Sequence, residues 1–145
     1  MNKLFGILFI CLLTLPASAQ LVKKGDADFS EALTAYKQKK FEQAMKLFEP
    51  ITKDYSNEDR SAYAKYYYAS AAQQLDKDQE GWNMLQQLLS KHSNWAEKDE
   101  AYYLAGLLNF KLKGYYRGLD YLNRITTSSY QKDVQGLIQH YIGDL

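Results

Sequence analysis

The sequence contains very few of the residues that carry thiol and imidazole chemistry. Its one cysteine is Cys11, and its two histidines are His92 and His140. Cys11 lies in an N-terminal apolar run that we expect to be removed, and a chain without thiols cannot form disulfides, thiolate metal sites or a cysteine nucleophile. Neither histidine has a second ligand at metal-binding spacing, so we predict no metal site and no cofactor.

Long apolar runs are also scarce. Residues 4–15 form an apolar run that follows Lys3 and precedes Ala17-Ser18-Ala19, a motif typical of signal-peptide cleavage. Ile10 precedes Cys11, whereas a lipoprotein signal has a small residue there. We therefore predict that residues 1–19 are a signal peptide cleaved after Ala19 and that the protein is exported, either periplasmic or secreted, and is not a lipoprotein. No later run approaches the roughly 20 apolar residues of a transmembrane helix.

Neither sign of charge predominates in this chain. There are 18 lysines and arginines against 17 aspartates and glutamates, and loss of Lys3 with the signal peptide would balance them. Binding to nucleic acid requires a clustered excess of basic residues, which is missing here. We predict no nucleic-acid partner, and the balance gives equally little reason to expect an electrostatic membrane anchor.

A repeat of 37 residues is the strongest pattern that is present. The positions that align are Phe29, Tyr66 and Tyr103; Ala32, Ala69 and Gly106; Ala44, Gly81 and Gly118; and Ile51, Leu88 and Ile125. Self-similarity with a period of 20 to 50 residues is typical of solenoids, whose units share one continuous core. Within each unit the apolar residues recur at helical spacing in two stretches, which predicts a helical hairpin.

The repeat register predicts where the helices lie. We expect first helices over residues 26–39, 59–75 and 96–112, second helices over 41–54, 78–91 and 115–126, and a terminal helix over 130–143. Ser56-Asn57 and Ser93-Asn94 are predicted to supply the side chains that cap first helices, and Pro50 to bend a second helix. Small residues at facing positions allow two helices to approach closely, and the helical glycines indicate the tightest contacts, because glycine costs about 1 kcal/mol against alanine there.

The small, aromatic and large apolar positions of this repeat resemble those of the tetratricopeptide repeat (TPR). They are filled by Ala32, Phe41, Ala44, Phe48 and Ile51 in the first unit and by Gly106, Tyr115, Gly118, Leu122 and Ile125 in the third. The second unit departs at Asp78, where an aromatic residue is expected. The stretch from Lys91 to Gly106 is similar to the lengthened repeats of bacterial cell-envelope proteins of the Tol-Pal-associated and BamD-like type.

The resemblance implies an all-α fold. The architecture would be a right-handed α-solenoid of helical hairpins, with about three TPR-like units at residues 26–55, 59–92 and 96–126 and a C-terminal helix at 130–143. It also implies that the first helices line a concave face that binds a partner. Carried onto this sequence, the partner-binding positions are Phe29, Leu33, Tyr36, Lys37, Tyr63, Tyr66, Gln73, Tyr103, Leu107, Phe110 and Lys111.

These positions have two interpretations. An aromatic stripe at helical spacing serves a core as well as a binding groove. The core interpretation is favoured for Phe29, Tyr66 and Tyr103, and both interpretations stay open for Tyr36, Tyr63 and Phe110. The TPR subclass that grips a C-terminal carboxylate uses a lysine and an asparagine at two fixed positions of the repeat. This chain has neither residue at those positions, which argues against a carboxylate clamp.

Residues 76–81 imitate the opening of a calcium loop. The position that requires a bidentate glutamate is Gln87, so we interpret the segment as a turn between two helices. The sequence also contains no nucleophile elbow and no phosphate loop, and we predict that the protein is not an enzyme.

The sequence therefore predicts a non-catalytic scaffold or adaptor, exported to the cell envelope, that binds a protein or peptide of the envelope through its concave face. The alternative is a structural repeat module at the N-terminal end of a longer envelope protein, or an array that self-associates through its C-terminal helix. The alternative arises because the 37-residue register continues to Gly143.

Overall fold

Residues 24–143, which the computed structural model describes, consist of α-helices and their connections, and no strand occurs among them. The helices are α1 (Lys24–Lys37), α2 (Phe41–Thr52), α3 (Glu58–Gln74), α4 (Asp78–Lys91), α5 (Lys98–Lys111), α6 (Tyr115–Leu122) and α7 (Gln131–Tyr141), and a short 3-10 helix (Ser128–Tyr130) precedes α7. The all-helical prediction is confirmed. The predicted signal peptide, residues 1–19, lies outside the described residues.

Each helix from α1 to α5 packs against the next one along the chain. In addition, α1 contacts α3, α3 contacts α5, and α5 contacts α7. The first helices of the hairpins therefore form one continuous row. Pro50 lies in the last turn of α2, which ends two residues later at Thr52, and the bend expected there stays a prediction.

The turns inside the three hairpins have the same backbone conformation at intervals of 37 residues. The residues in the left-handed region are Lys39 (φ 60°), Asp76 (φ 58°) and Lys113 (φ 64°). The next amide in each turn donates back to the preceding helix, from Lys40 to Ala35 O (2.9 Å), from Lys77 to Ala72 O (2.9 Å) and from Gly114 to Asn109 O (2.7 Å). Such 6→1 bonds are the Schellman ending of a helix. The interpretation of Asp76 as part of an inter-helix turn is therefore confirmed.

Small residues bring the two helices of each pair together, as the repeat predicted. Ala32 and Ala44 have no exposed surface. A Cβ atom added to Gly106 would lie 2.6 Å from Leu122 Cγ, and one added to Gly118 would lie 2.5 Å from Phe110 Cε1. Both distances are far below van der Waals contact, so the third pair requires glycine at the two positions.

The core forms three adjoining clusters along the row of helices. The first joins α1, α2 and α3 through aromatic rings, with Phe48 5.5 Å from Phe29 and stacked at 5.5 Å on Tyr67. The second surrounds Trp82 between α3, α4 and α5, and the third surrounds Phe110 between α5, α6 and α7. Burial of one such side chain contributes about 1.5–3 kcal/mol.

The predicted start of α5 is wrong by two residues. Trp95 is buried at 5 % exposure, and its amide donates to His92 O at 3.0 Å in a turn that precedes the helix. The helix begins at Lys98 after Glu97, and no side chain caps it, so Asn94 does not have the predicted role. Asn57 does cap α3, because its side chain accepts from the amide of Arg60 at 3.0 Å.

The predicted end of α6 is also wrong, since the helix stops at Leu122 rather than at residue 126. The amides of Thr126 and Thr127 donate instead to Asp99 Oδ2, at 3.2 and 2.9 Å. The Thr127 hydroxyl and both amides hold the pKa of Asp99 below its ordinary value. The amides of Thr126 and Thr127 thus bond to Asp99 on α5 instead of continuing α6, which ends earlier than the repeat pattern predicts.

Candidate partner-binding face

Aromatic side chains form a connected row across α1 and α3. Its members, which we call the aromatic row, are Phe29, Tyr36, Tyr67, Tyr66, Tyr63 and Trp95. The Tyr67 ring lies 5.1 Å from that of Tyr36 and 5.4 Å from that of Tyr66, both edge to face. Trp95 closes the row 5.7 Å from Tyr66 and 5.1 Å from Tyr63. These spacings are typical of attractive aromatic pairs, so the rings hold one another in place.

An open cleft lies beside the row between α1 and α3. Its volume is about 430 Å³, and Phe29, Leu33 and Tyr63 are among the side chains that line it. Arg60 lies at its edge, with a guanidinium bonded to Asp54 and 3.7 Å from Asp26 Oδ1. The cleft therefore has an apolar floor, and the positive charge at its edge is already paired.

Four carboxylates lie near these tyrosines and form what we call the acidic rim. Asp59 and Glu97 act on Tyr63, Glu100 acts on Tyr66, and Asp133 acts on Tyr103 beyond the row. The Tyr66 hydroxyl donates to Glu100 Oε2 at 3.2 Å. Burial and then the charge of Glu100 raise the pKa of Tyr66. The ion pairs among residues 24–143 include none of the four rim carboxylates. The rim therefore contributes negative charge that none of these ion pairs offsets.

Tyrosine rings beside carboxylates also occur further along, towards α7. The ring of Tyr130 lies 6.0 Å from that of Tyr103. Burial, followed by a hydrogen bond to Glu100, raises the pKa of Tyr130. Burial and the charge of Asp133 likewise raise the pKa of Tyr103. The face thus extends over the row of first helices rather than being confined to one hairpin.

The structure brings part of the predicted set together. Phe29, Leu33, Tyr36, Tyr63 and Tyr66 are half-buried around the aromatic row and its cleft. Each packs against a core cluster with one side and keeps some exposed surface, so the core and contact interpretations both describe them. Further along the row of helices, Tyr103 and Leu107 pack on the third cluster, Gln73 is half-buried and Lys37 is exposed.

Phe110 was predicted to contact a partner, and the structure places it in the core instead. It is 1 % exposed, with its ring 6.2 Å from that of Tyr115 and 5.8 Å from that of Tyr141. Gly118 leaves the space that the ring fills. The contact prediction for Phe110 is therefore wrong.

Lys111 also has a different place from the predicted one. Its ammonium group donates to Gln73 O (3.2 Å) and Asp76 Oδ1 (2.7 Å) and lies 2.9 Å from Asp78 Oδ1. Burial alone lowers the pKa of Lys111, but the bonds to the two aspartates outweigh it and raise the pKa above its ordinary value. Because three acceptors surround the ammonium, Lys111 fastens the α3–α4 turn to α5 and does not offer a free charge to a partner.

Reasoning from the repeat missed Tyr67 and Trp95. The positions 37 residues from Tyr67 hold Ser30 and Leu104, so its ring has no counterpart in the other units. A usable signal was the run of tyrosines from Tyr66 to Tyr68, because three consecutive residues of a helix cannot share one face. These three tyrosines must therefore lie on more than one face of α3, and Tyr67 packs against the first core cluster.

Comparison with known proteins found no match to any family model, any curated protein or any solved structure. The geometry of the residues themselves therefore carries the functional assignment. Within residues 24–143, no group of three or more histidine, cysteine or acidic side chains is arranged to hold a metal ion. None of the helices in that range is both long enough and apolar enough to cross a membrane.

Proposed function

We propose that this chain is an exported, non-catalytic adaptor of the cell envelope. Its fold would be a TPR-type right-handed α-solenoid of three hairpins and a terminal helix. The equal turns at 37-residue intervals and the continuous row of first helices support this architecture. The observation that carries the proposal is the half-buried aromatic row beside an apolar cleft. Such a surface would receive a segment of another envelope protein.

The side chains of the row are suited to recognition. A half-buried tyrosine presents apolar area together with a polar tip, and it loses little conformational entropy when a partner binds. Contacts between neighbouring rings fix the positions of Tyr36, Tyr63 and Tyr66 in advance. A preorganised surface binds more tightly than a mobile one of equal area.

The acidic rim favours a partner segment that contains lysine or arginine. Such a cation can pair with Glu97 or Glu100 while its side chain packs on a tyrosine face. Complementary charge also raises the rate of encounter and excludes acidic segments. Two cations near this face, Lys111 and Arg60, are not available to an acidic partner, because they are already bonded to aspartates.

A second candidate is a structural module that associates with a further repeat or another copy of the chain. The observation in its favour is an apolar cleft of about 360 Å³ between α6 and α7, lined by Tyr115, Tyr116, Leu119, Tyr141 and Ile142. Tyr116 is 92 % exposed. An additional helix packed on this end would cover these side chains.

Site-specific photo-crosslinking in cells that export the protein tests the proposal. A photoreactive phenylalanine analogue replaces Tyr63 in the row, Tyr116 at the α6–α7 end, or exposed Gln43 on α2 as a matched control. We expect an adduct with another envelope protein from position 63 and none from position 43. An adduct between two copies of this chain from position 116, with none from position 63, would favour the second candidate and overturn the first.

The contribution of the rim is tested in the same assay. Asp59→Asn combined with Glu97→Gln should lower the yield of the position-63 adduct several-fold, because the partner's cation loses the two rim carboxylates that act on Tyr63. Glu42→Gln on α2 removes a carboxylate away from the row and serves as the charge control. Equal yields from the two variants would contradict a basic partner while leaving the aromatic row in place as a binding surface.

A further inference from the structure

A lysine is buried between α3 and α4 without a carboxylate partner. Lys65 is 2 % exposed, and its ammonium lies 2.9 Å from Ser61 Oγ and 2.9 Å from His92 Nε2. No ion pair within residues 24–143 includes it. Burial, followed by the charge of Lys91, lowers the pKa of Lys65. A buried charge of this kind is costly unless an opposite charge compensates it.

The lysine also fixes the hydrogen-bonding state of His92. An ammonium group has only donors, so Nε2 of the ring must accept and the proton of the neutral imidazole must lie on Nδ1. Burial and the charge of Lys65 lower the pKa of His92, which keeps the ring neutral. His92 therefore has one N–H to donate, at Nδ1. The positive charge of Lys65 at Nε2 polarises the ring and makes this N–H a stronger donor.

His92 lines a cleft of about 510 Å³ that is formed by the end of α4, the start of α5 and the end of α6. Lys98 and Arg124 also line it, as do the hydroxyl-bearing residues Ser93 and Tyr102. No aspartate or glutamate is among the residues that line the cleft. Lys98 takes part in none of the ion pairs in the described part of the chain, and Arg124 is held by Asp120 at 2.6 Å with its guanidinium on the Tyr121 ring.

We propose that this cleft is a binding site for a phosphate group. Lys98 and Arg124 supply the charge, and His92 donates from Nδ1, so that three donors approach a tetrahedral anion from different elements. The bound anion would also offset the positive charge of Lys65, because His92 lies between the Lys65 ammonium and the cleft. The site lies apart from the aromatic row, so it stands or falls independently of the adaptor function.

The two histidines allow a direct test by NMR. Inorganic phosphate is titrated into the purified protein at about pH 7.5, with sodium chloride adjusted to hold ionic strength constant, and the imidazole resonances are followed. We expect the His92 signals to move and saturate, while those of exposed His140 remain in place. Equal movement of both histidines, or the same movement with acetate, would overturn the proposal.

Variants test the donors. Lys98→Gln or Arg124→Gln should weaken phosphate binding by at least about tenfold, because each removes a charge-assisted hydrogen bond. Lys132→Gln removes an exposed charge outside the cleft and should leave binding unchanged. Undiminished binding by both cleft variants, shown folded by their circular dichroism, would contradict the site.

The source of the phosphate group is distinguished by a second titration. Vesicles of phosphatidylglycerol and phosphatidylcholine are compared with vesicles of phosphatidylcholine alone, and co-sedimentation is measured for the wild type and Lys98→Gln. Sedimentation that requires both the anionic lipid and Lys98 would identify a lipid headgroup. Binding to free phosphate without such sedimentation would identify a soluble phosphate compound, and the absence of both would overturn the proposal.

Discussion

The first and third hairpins place an aromatic residue at the same repeat position, and the two rings end in different environments. Tyr36 of α1 is half-buried in the aromatic row, whereas Phe110 of α5 is 1 % exposed. The facing residue on the second helix is Ala44 in the first hairpin and Gly118 in the third. Gly118 leaves the space that the Phe110 ring fills, whereas the Tyr36 ring lies edge to face against Phe41 and Tyr67. The same repeat position is therefore a core position in the third hairpin and a half-exposed one in the first.

The largest expected effect comes from removing the two rings. Phe110→Ala should lower the free energy of unfolding by about 3–5 kcal/mol, the usual cost of deleting a fully buried phenylalanine. Tyr36→Ala should cost about 1–2 kcal/mol, because its ring is half-exposed and loses mainly its edge contacts and the 2.6 Å bond to Ser70 Oγ. Urea denaturation measures both, with Tyr116→Ala as the exposed control. Equal losses for the two rings would break the comparison.

A smaller effect tests the role of Gly118 directly. Gly118→Ala should cost about 1 kcal/mol net, because overlap with Phe110 costs roughly 1–3 kcal/mol and the better helix propensity of alanine returns about 1 kcal/mol. In the Phe110→Ala background the overlap with Phe110 disappears and only the 3.1 Å approach to Gly106 O remains, so the same substitution should stabilise the fold by less than about 1 kcal/mol.

The reversal of sign is the decisive result of this double-mutant cycle. If Gly118→Ala destabilises by the same amount in both backgrounds, then Phe110 does not explain why glycine is required. The matched substitution in the first hairpin is Ala44→Gly, which should cost about 1–2 kcal/mol through helix propensity and the loss of a buried methyl group. No gain from opening the pair is expected there, because Tyr36 is held by Tyr67 and Phe41.

The comparison also shows which features were predictable from sequence. Periodicity identified the helices because apolar spacing is a local property, and α4 spans Asp78–Lys91 as expected. The start of α5 depends on the burial of Trp95, and the end of α6 depends on the bonds from Thr127 to Asp99. Both are contacts between residues distant in sequence, which a repeat pattern does not encode.

The candidate site was predictable to a similar degree. The register indicated Tyr63, Tyr66 and Leu33, which lie at the aromatic row and its cleft. It could not indicate that Phe110 is buried against Gly118 or that Lys111 is bonded to Asp76. The first depends on packing against α6, and the second depends on the position of the α3–α4 turn. Lys65 gave no signal of burial either, because a lysine in a helix is ordinarily solvated.

The middle hairpin, α3 and α4, differs from the other two because it contains the buried contact between Lys65 and His92. This contact should make the middle hairpin the one that responds to pH. The positions 37 residues from Lys65 hold Asp28 and Tyr102, so neither neighbouring unit can reproduce the bond to His92. Burial and the charges of Lys65 and Lys91 lower the pKa of His92, and Glu58 and Asp59 oppose them only in part. Protonation of the ring would also remove the acceptor at Nε2 and place two cations side by side.

Acid should therefore weaken the fold through this pair before it affects the carboxylates. The unfolded chain binds a proton at His92 near the ordinary pKa of about 6.5, while the folded chain resists it, so stability is complete above that pH and declines as the pH falls below it. His92→Gln should flatten the decline below about pH 6.5, whereas His140→Gln should leave it unchanged. Asp54 and Asp99, whose pKa values are lowered by hydrogen bonds from Ser56 and Thr127, lose their contribution only in stronger acid. If the stability of His92→Gln still declines as the pH first falls below about 6.5, the acid-sensitive contact lies in another hairpin. The middle hairpin would then not differ from the other two in its response to pH.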